Sequence, residues 1–251
     1  KYCIGQLDSK IQIEGIVHPL IKDCVSNDYT QLGGVILTGS NMSGKTTFMR
    51  TLGVNQILFN ACKIVCADKY FAPNLKVFTS LRAQDELSEG VSTFYAEILR
   101  IKLINEEIKD NKCLILIDEI FKGTNANDRI YASTKVIEKL NKYNQLFIIS
   151  THDFELCEVE NITNYHFNEE YNNDVINFDY KIKTLLLYEY YYNIIMQRGQ
   201  GFEAKNIRKN TTFFQKIAFF RTSFTIFNAD MVSSYHFLHL SIQTCPVLLN
   251  F

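Results

Sequence analysis

The chain has 251 residues, 47% hydrophobic and 21% charged, enough to bury the core of a large α/β domain with something smaller beside it. A formal net charge of −1 excludes a uniformly basic nucleic-acid-binding surface and leaves room only for a local patch. There is no run of 18 or more apolar residues, and the opening KYCIGQLDSK has no signal-peptide character, so no membrane association is expected.

Seven cysteines, an odd number without framework spacing, read as reduced thiols of a cytoplasmic protein. Cys62-x-x-x-Cys66 is expected to serve core packing rather than a metal, and His236-x-x-His239 is a weak metal candidate. Beginning at Lys1 without an initiator Met, the chain is expected to be a piece of something longer.

In chain order, the first strong signal is GVILTG, a buried strand leading into SNMSGKTTFMRTLG. Gly39-x-x-x-x-Gly44-Lys45-Thr46 is a full P-loop match, and apolar residues at helical spacing follow it. Two short β-like runs come next, with a turn at Pro73-Asn74 between them. STFYAEILRIKLINEEIKDNK then predicts an amphipathic helix with Phe94, Ile98, Ile101 and Ile108 on one face. CLILIDE is a continuous apolar run ending in two acids, a buried parallel strand whose carboxyl end faces the ligand crevice. NDRIYASTKVIEKLNKY predicts a helix capped by Asn127 or Asp128, and QLFIISTH a further buried strand closing on His152. NYHFNEEYNNDVINFDYKIK alternates around an Asn-rich turn and predicts an edge hairpin. Strands alternating with helices give an α/β fold, a mostly parallel sheet flanked by helices with an antiparallel edge.

From Thr184 the character changes. Residues 184–251 hold 3 acids against 6 bases, and runs such as YEYYYN and FFQKIAFFRTSFTIF lack a clean period or strong caps. Two segments are therefore expected, 1–183 as an ATPase-type domain and 184–251 as an atypical tail.

The chemistry follows from the residue types. Gly39 and Gly44 let the backbone turn tightly so that successive N–H groups form an anion nest, and the helix behind them adds the positive end of its dipole. Lys45 would reach the β- and γ-phosphates and the Thr46 hydroxyl would ligate Mg²⁺. Asp118 would hold Mg²⁺ directly or through water, and Glu119 would orient and deprotonate the attacking water. His152, after the next strand, would reach the γ-phosphate.

Together these segments resemble the C-terminal ATPase domain of the MutS mismatch-repair family, in the ABC-type class of P-loop ATPases. TGSNMSGKTT is close to that family's P-loop, SEGVSTFYAE to its signature segment, LIDEIFKGTNANDR to its Walker B and following loop, and STHD to its histidine switch. GIVHPLIKDCVSND resembles the segment before the P-loop, so the matches cover roughly residues 11–183 in family order. Ser-Asn-Met-Ser and Phe-Lys-Gly-Thr-Asn look closer to the divergent bacterial MutS-like proteins than to the main repair protein.

The resemblance implies ATP and Mg²⁺ as cofactors. The nucleotide would be held by Gly39, Ser40, Asn41, Met42, Ser43, Gly44, Lys45, Thr46 and Thr47, with Asn41 on phosphate, Asn27 on adenine and Tyr180 against the base. It implies that Ser92 would complete a partner subunit's site in trans, in a homodimer, and that DNA would be contacted through domains outside this chain. Cys24 departs from the pattern, standing where many members have an aromatic beside the adenine. Beyond Lys183 the family's Gly/Ser-Thr segment and helix-turn-helix are not found in TLLLYEYYYNIIMQRGQGF, which reads as a divergent extension or the product of a shifted frame. The implied function is ATP-driven motor activity in DNA repair or recombination. The alternatives are an ABC-type ATPase coupled to another process, such as transport, and a nucleotide-binding fragment without turnover. The transport class carries Leu-Ser-Gly-Gly-Gln before Walker B, where this chain has Ser-Thr-Phe-Tyr.

Overall fold

The computed structural model describes residues 1–81, 93–172 and 175–185, all inside the unit that spans residues 1–189. Five strands come first: β1 (Cys3–Ile4), β2 (Gln6–Leu7), β3 (Ile11–Ile16), β4 (Asn27–Gln31) and β5 (Gly34–Gly39). Helix α1 (Lys45–Cys62) is followed by β6 (Ile64–Val65), β7 (Lys69–Ala72) and β8 (Lys76–Ser80). Then come α2 (Thr93–Glu107), β9 (Cys113–Ile117), α3 (Ala126–Lys142) and β10 (Leu146–Ser150). A short 3-10 turn, Phe154–Glu158, precedes β11 (Ile162–Asn172) and β12 (Val175–Thr184).

Six strands form one sheet in the order β12-β11-β5-β10-β9-β8. All neighbours pair in parallel except β12, which runs antiparallel to β11 at the edge. The runs CLILI and LFIIS are buried along their whole length because helices cover both faces. Their alternation sorts the core into two halves. Val35, Leu37, Leu114, Leu116 and Ile148 pack with Phe48, Met49, Leu52 and Phe59 of α1. Ile36, Ile115, Ile117, Phe147 and Ile149 face Ile101 and Ile104 of α2, Ile108 just beyond its end, and Ile137 and Leu140 of α3. Each such side chain contributes about 1.5–3 kcal/mol on full burial.

A second sheet was not anticipated. Four strands pair in the order β2-β7-β3-β4, with β3 antiparallel to both neighbours. Its Ile11, Ile13, Ile16, Tyr29 and Tyr70 join the α1 half of the core. The two runs flanking Pro73-Asn74 therefore part company: β7 joins this sheet, and β8 joins the large one.

Two local expectations are corrected. Ile98 is exposed, and Ile104 takes its place beside Ile101 and Ile108. At about 100° per residue, Ile98 projects roughly 80° from the centre of the stripe Phe94–Ile101–Ile104–Ile108. The cap of α3 is Asn125, not Asn127 or Asp128. Its side chain accepts the Asp128 N–H, and Asp128 sits in the first turn, where the helix dipole favours an acid.

The six described cysteines are all free. Cys62 is exposed and Cys66 only half-buried, so neither is the core residue expected. Among the described residues no group of three or more His, Cys, Asp or Glu side chains is placed to hold a metal. The His236/His239 pair lies outside them. No described helix is long and apolar enough to cross a membrane.

Candidate functional site

Because β5, β9 and β10 run parallel, their carboxyl ends open side by side on one edge, the usual place for ligands in such sheets. From β5 the chain enters the loop 40–44 and turns into α1. Gly39 and Gly44 have φ of +135° and +108°. A Cβ on Gly39 would lie 2.8 Å from the Phe167 carbonyl oxygen and 2.9 Å from Ser43 Oγ, so only glycine fits. Ser43 is buried and its hydroxyl donates to the Ser40 carbonyl at 2.9 Å, drawing the loop tight. Ser40 Oγ is itself buried without a hydrogen-bond partner. Met42 is left-handed, at φ 73°, and 83% exposed. Asn41 and Thr47 are also exposed. Helix α1 starts with no side-chain cap and no acid in its first turn, leaving its N–H groups and dipole available to an anion.

Lys45 is buried beneath the loop. Its ammonium donates to the carbonyls of Gly39 and Ser40, both at 2.7 Å. One residue on, Thr46 Oγ1 donates to Asp118 Oδ2 at 2.7 Å. The other Asp118 oxygen accepts from the Ser150 hydroxyl, and Ser150 Oγ in turn accepts the Glu119 N–H at 2.9 Å. Loop helix, β9 and β10 are thus tied by one chain of hydrogen bonds. Thr46 and Asp118 offer adjacent hard oxygen donors. One carboxylate and one hydroxyl suit Mg²⁺, which completes its shell with waters and substrate phosphates.

Glu119 is brought into the mouth of the site. Its Oε2 accepts from Lys122 at 2.6 Å, and its Oε1 lies 3.3 Å from His152 Nε2. His152 Nε2 is also 3.1 Å from Asn41 Oδ1, so the histidine bridges the loop and the acid. Behind His152, Asp153 takes two hydrogen bonds from the Arg129 guanidinium, at 2.6 and 2.7 Å. Those bonds hold the Asp153 carboxyl below the usual carboxylate range.

Tyr180 lies in a bulge of β12, where the register slips between Phe167 and Glu169 of β11. Its φ is 53°, and its ring edge is 3.2 Å from where a Gly44 Cβ would stand, so the aromatic flanks the start of α1. Asn27 is buried and latches the bulge. Its Nδ2 donates to the Tyr180 carbonyl at 3.0 Å and to the Val25 carbonyl at 3.4 Å, and its Oδ1 accepts the Ile182 N–H at 2.8 Å. Cys24 sits nearby, its Sγ accepting the His18 N–H.

The structure thus gathers Gly39–Thr46, Asp118, Glu119 and His152 at one edge, with Tyr180 alongside and Asn27 beneath it. Ser92 lies outside the described residues. Sequence reading missed Ser150 and the Arg129–Asp153 fork. Ser150 and Asp153 fall within STHD and Arg129 within LIDEIFKGTNANDR, but their roles act through partners far along the chain and are not legible from the motifs alone.

A family model described as MutS domain V matches residues 35–217. The DNA mismatch repair protein MutS of Thermotoga maritima is 32% identical over 177 residues, 67% of this chain and 22% of that protein. MutS protein homolog 4 of Mus musculus is 32% identical over 196 residues, 70% of this chain and 20% of its own length. The MutS of Thermus aquaticus is 32% identical over 160 residues, covering 62% and 20%. The chain spans about a fifth of the length of these curated relatives. With the domain V model matching well over half of its residues, the chain belongs to the MutS family.

Proposed function

We propose that this chain is the ATP-binding and ATP-hydrolysing motor domain, a P-loop NTPase of the ABC type, of a cytoplasmic MutS-like DNA mismatch repair or recombination protein. The subfamily reading, a divergent bacterial MutS-like protein, rests on Ser40–Ser43 and Phe121–Asn125. The observation that carries the proposal is the single hydrogen-bonded edge on which Lys45, Thr46, Asp118, Glu119 and His152 converge.

In this reading the N–H groups of the loop and of the α1 start cradle the phosphates, and Lys45 exchanges its two loop carbonyls for phosphate oxygens. Mg²⁺, held by Thr46 and Asp118, supplies charge neutralisation of the phosphates when bound. Glu119 orients a water and takes its proton. His152, hydrogen-bonded to both Asn41 and Glu119, keeps the base aligned with the phosphate loop. Tyr180 offers its face to the base, and Asn27 acts on the base by fixing the bulge that aims Tyr180. Ser92 completes the site of a second subunit in a homodimer, and DNA is engaged by domains outside this chain.

Calorimetry with ATP and Mg²⁺ tests the reading. The parent and Glu119→Gln should bind ATP alike, while Lys45→Ala, which strips the ammonium from the nest, should lose on the order of a hundredfold in affinity. Unchanged affinity in Lys45→Ala would overturn the assignment of the loop.

A further inference from the structure

The turn that follows β9 is held in an unfavourable shape. Glu119 and Phe121 both have left-handed backbones, with φ of 50° and 54°. Residues with a side chain persist there only where the surroundings enforce it. The first enforcing contact comes from β10, the Glu119 N–H donating to Ser150 Oγ at 2.9 Å. The second comes from α2. Glu97 Oε1 accepts the Phe121 N–H at 2.7 Å. Around it, the Phe94 ring meets the Phe121 ring with centroids 6.1 Å apart, and a Cβ on Gly123 would lie 3.2 Å from Phe94 Cβ. The opening turns of α2 therefore sit directly on the turn that carries Glu119.

We propose that Glu97 is a positioning residue: by gripping the Phe121 N–H it holds the left-handed turn that aims Glu119, so that the placement of α2 sets the placement of the base. The inference rests on the reading of Glu119 as the base. The physical reason is reach. A charge-assisted bond of 2.7 Å to a backbone N–H tolerates only a few tenths of an ångström before it weakens steeply. A shift of α2 by about 1 Å breaks it, and the turn is then free to leave its left-handed conformation. α2 begins immediately after Ser92, so whatever engages the segment before the helix is coupled through two residues, Glu97 and Phe121, to Glu119. The outer flank of α2 carries exposed Tyr95, Ile98, Leu99 and Leu103, while Ile101 and Ile104 on its inner face pack on the six-stranded sheet.

The test uses the full chain and three variants, with Glu119→Gln as reference. Single-turnover hydrolysis at saturating ATP and Mg²⁺, ATP affinity, and hydrogen exchange at the Phe121 amide are measured for each. Glu97→Ala should lower the rate at least tenfold, leave affinity within twofold, and speed Phe121 exchange at least tenfold. Glu97→Gln keeps an Oε1 acceptor in place and should recover most of the rate. Glu97→Asp keeps the charge but is one methylene short, and it should behave like Glu97→Ala. A role in charge alone predicts the opposite order of the last two, and that order would overturn the proposal. Unchanged exchange at Phe121 in Glu97→Ala and Glu97→Asp overturns it whatever the activity. A parental rate in Glu97→Ala beside an inactive Glu119→Gln overturns the positioning role alone. A parental rate in Glu119→Gln overturns the reading of the base instead.

Discussion

In the four-stranded sheet, β3 and β4 alternate buried Ile11, Ile13, Tyr29 and Gln31 with exposed Gln12, Glu14, Asp28 and Thr30. Its buried polar groups are each satisfied in pairs, as where Tyr29 donates to Gln31 at 3.0 Å and Gln31 donates to the Phe147 carbonyl at 3.0 Å. The carboxyl edge of the six-stranded sheet is built otherwise. Lys45 is buried there on the loop carbonyls, Asp118 and Ser150 are buried in the hydrogen-bonded chain from Thr46 to Glu119, and Met42, Glu119, Phe121 and Tyr180 all take positive φ. Elsewhere such residues mostly close helices or sit in turns, as Lys63, Asn144 and Asn161 do. One region holds apolar burial with little strain; the other holds charge and strain that the rest of the fold must sustain.

Four experiments can break or sharpen that contrast. The largest effect is expected at Glu119→Gln, where losing the base should cost about 10²–10⁴ in single-turnover rate with thermal stability unchanged. A comparable loss of stability would mean that the acid is structural. Phe59→Ala should do the reverse. Phe59 is fully buried between α1 and the four-stranded sheet, its ring 5.3 Å from that of Tyr70, and truncation should cost about 3–5 kcal/mol in denaturant unfolding. ATP affinity of the folded fraction should stay at the parental value.

The third experiment concerns pH. The folded Asp153 carboxyl is held below its unfolded value by Arg129, so its contribution is fully present above about pH 4 and is lost as pH falls through the folded value. Denaturant midpoints should therefore fall between pH 5 and pH 3 by more in the parent than in Asp153→Asn. Equal falls would show that the fork contributes nothing. Arg129→Lys keeps the charge but loses the two-pronged geometry, and it should resemble Asp153→Asn. The smallest effect is expected at Met42→Gly, which removes the left-handed penalty of an exposed residue and should raise stability by about 1 kcal/mol. A drop would place Met42 among residues that hold the loop rather than merely tolerate it.

What was legible in the sequence was whatever is contiguous. GVILTG, CLILI and LFIIS are buried on both faces and announce themselves as unbroken apolar runs, and the P-loop lies in one stretch next to the strand and helix it needs. The four-stranded sheet was missed because its strands are scattered between Gln6 and Ala72, and β2 has two residues. Asn125 was missed as a cap because TNAND offers several competing Asn and Asp residues, and only the backbone decides among them. Asn27, read as a nucleotide contact, also makes three bonds, to Val25, Tyr180 and Ile182. Two of those partners lie across the fold, where local pattern carries no information. Ser150, Arg129 and Glu97 fall under the same rule: each acts through a tertiary neighbour.

The strand order carries a last consequence, in the timing of biosynthesis. β5 ends at Gly39, but the partners on both its sides, β10 and β11, begin only at Leu146 and Ile162. At roughly 5–20 residues per second of translation, this fully buried strand leaves the ribosome several seconds or more before any neighbour exists to pair with it. During that interval α1 and the early antiparallel strands, made of nearby segments, are the cover within reach. Weakening that early unit should therefore lower the soluble yield of newly made chain more than it lowers the stability of chain already folded.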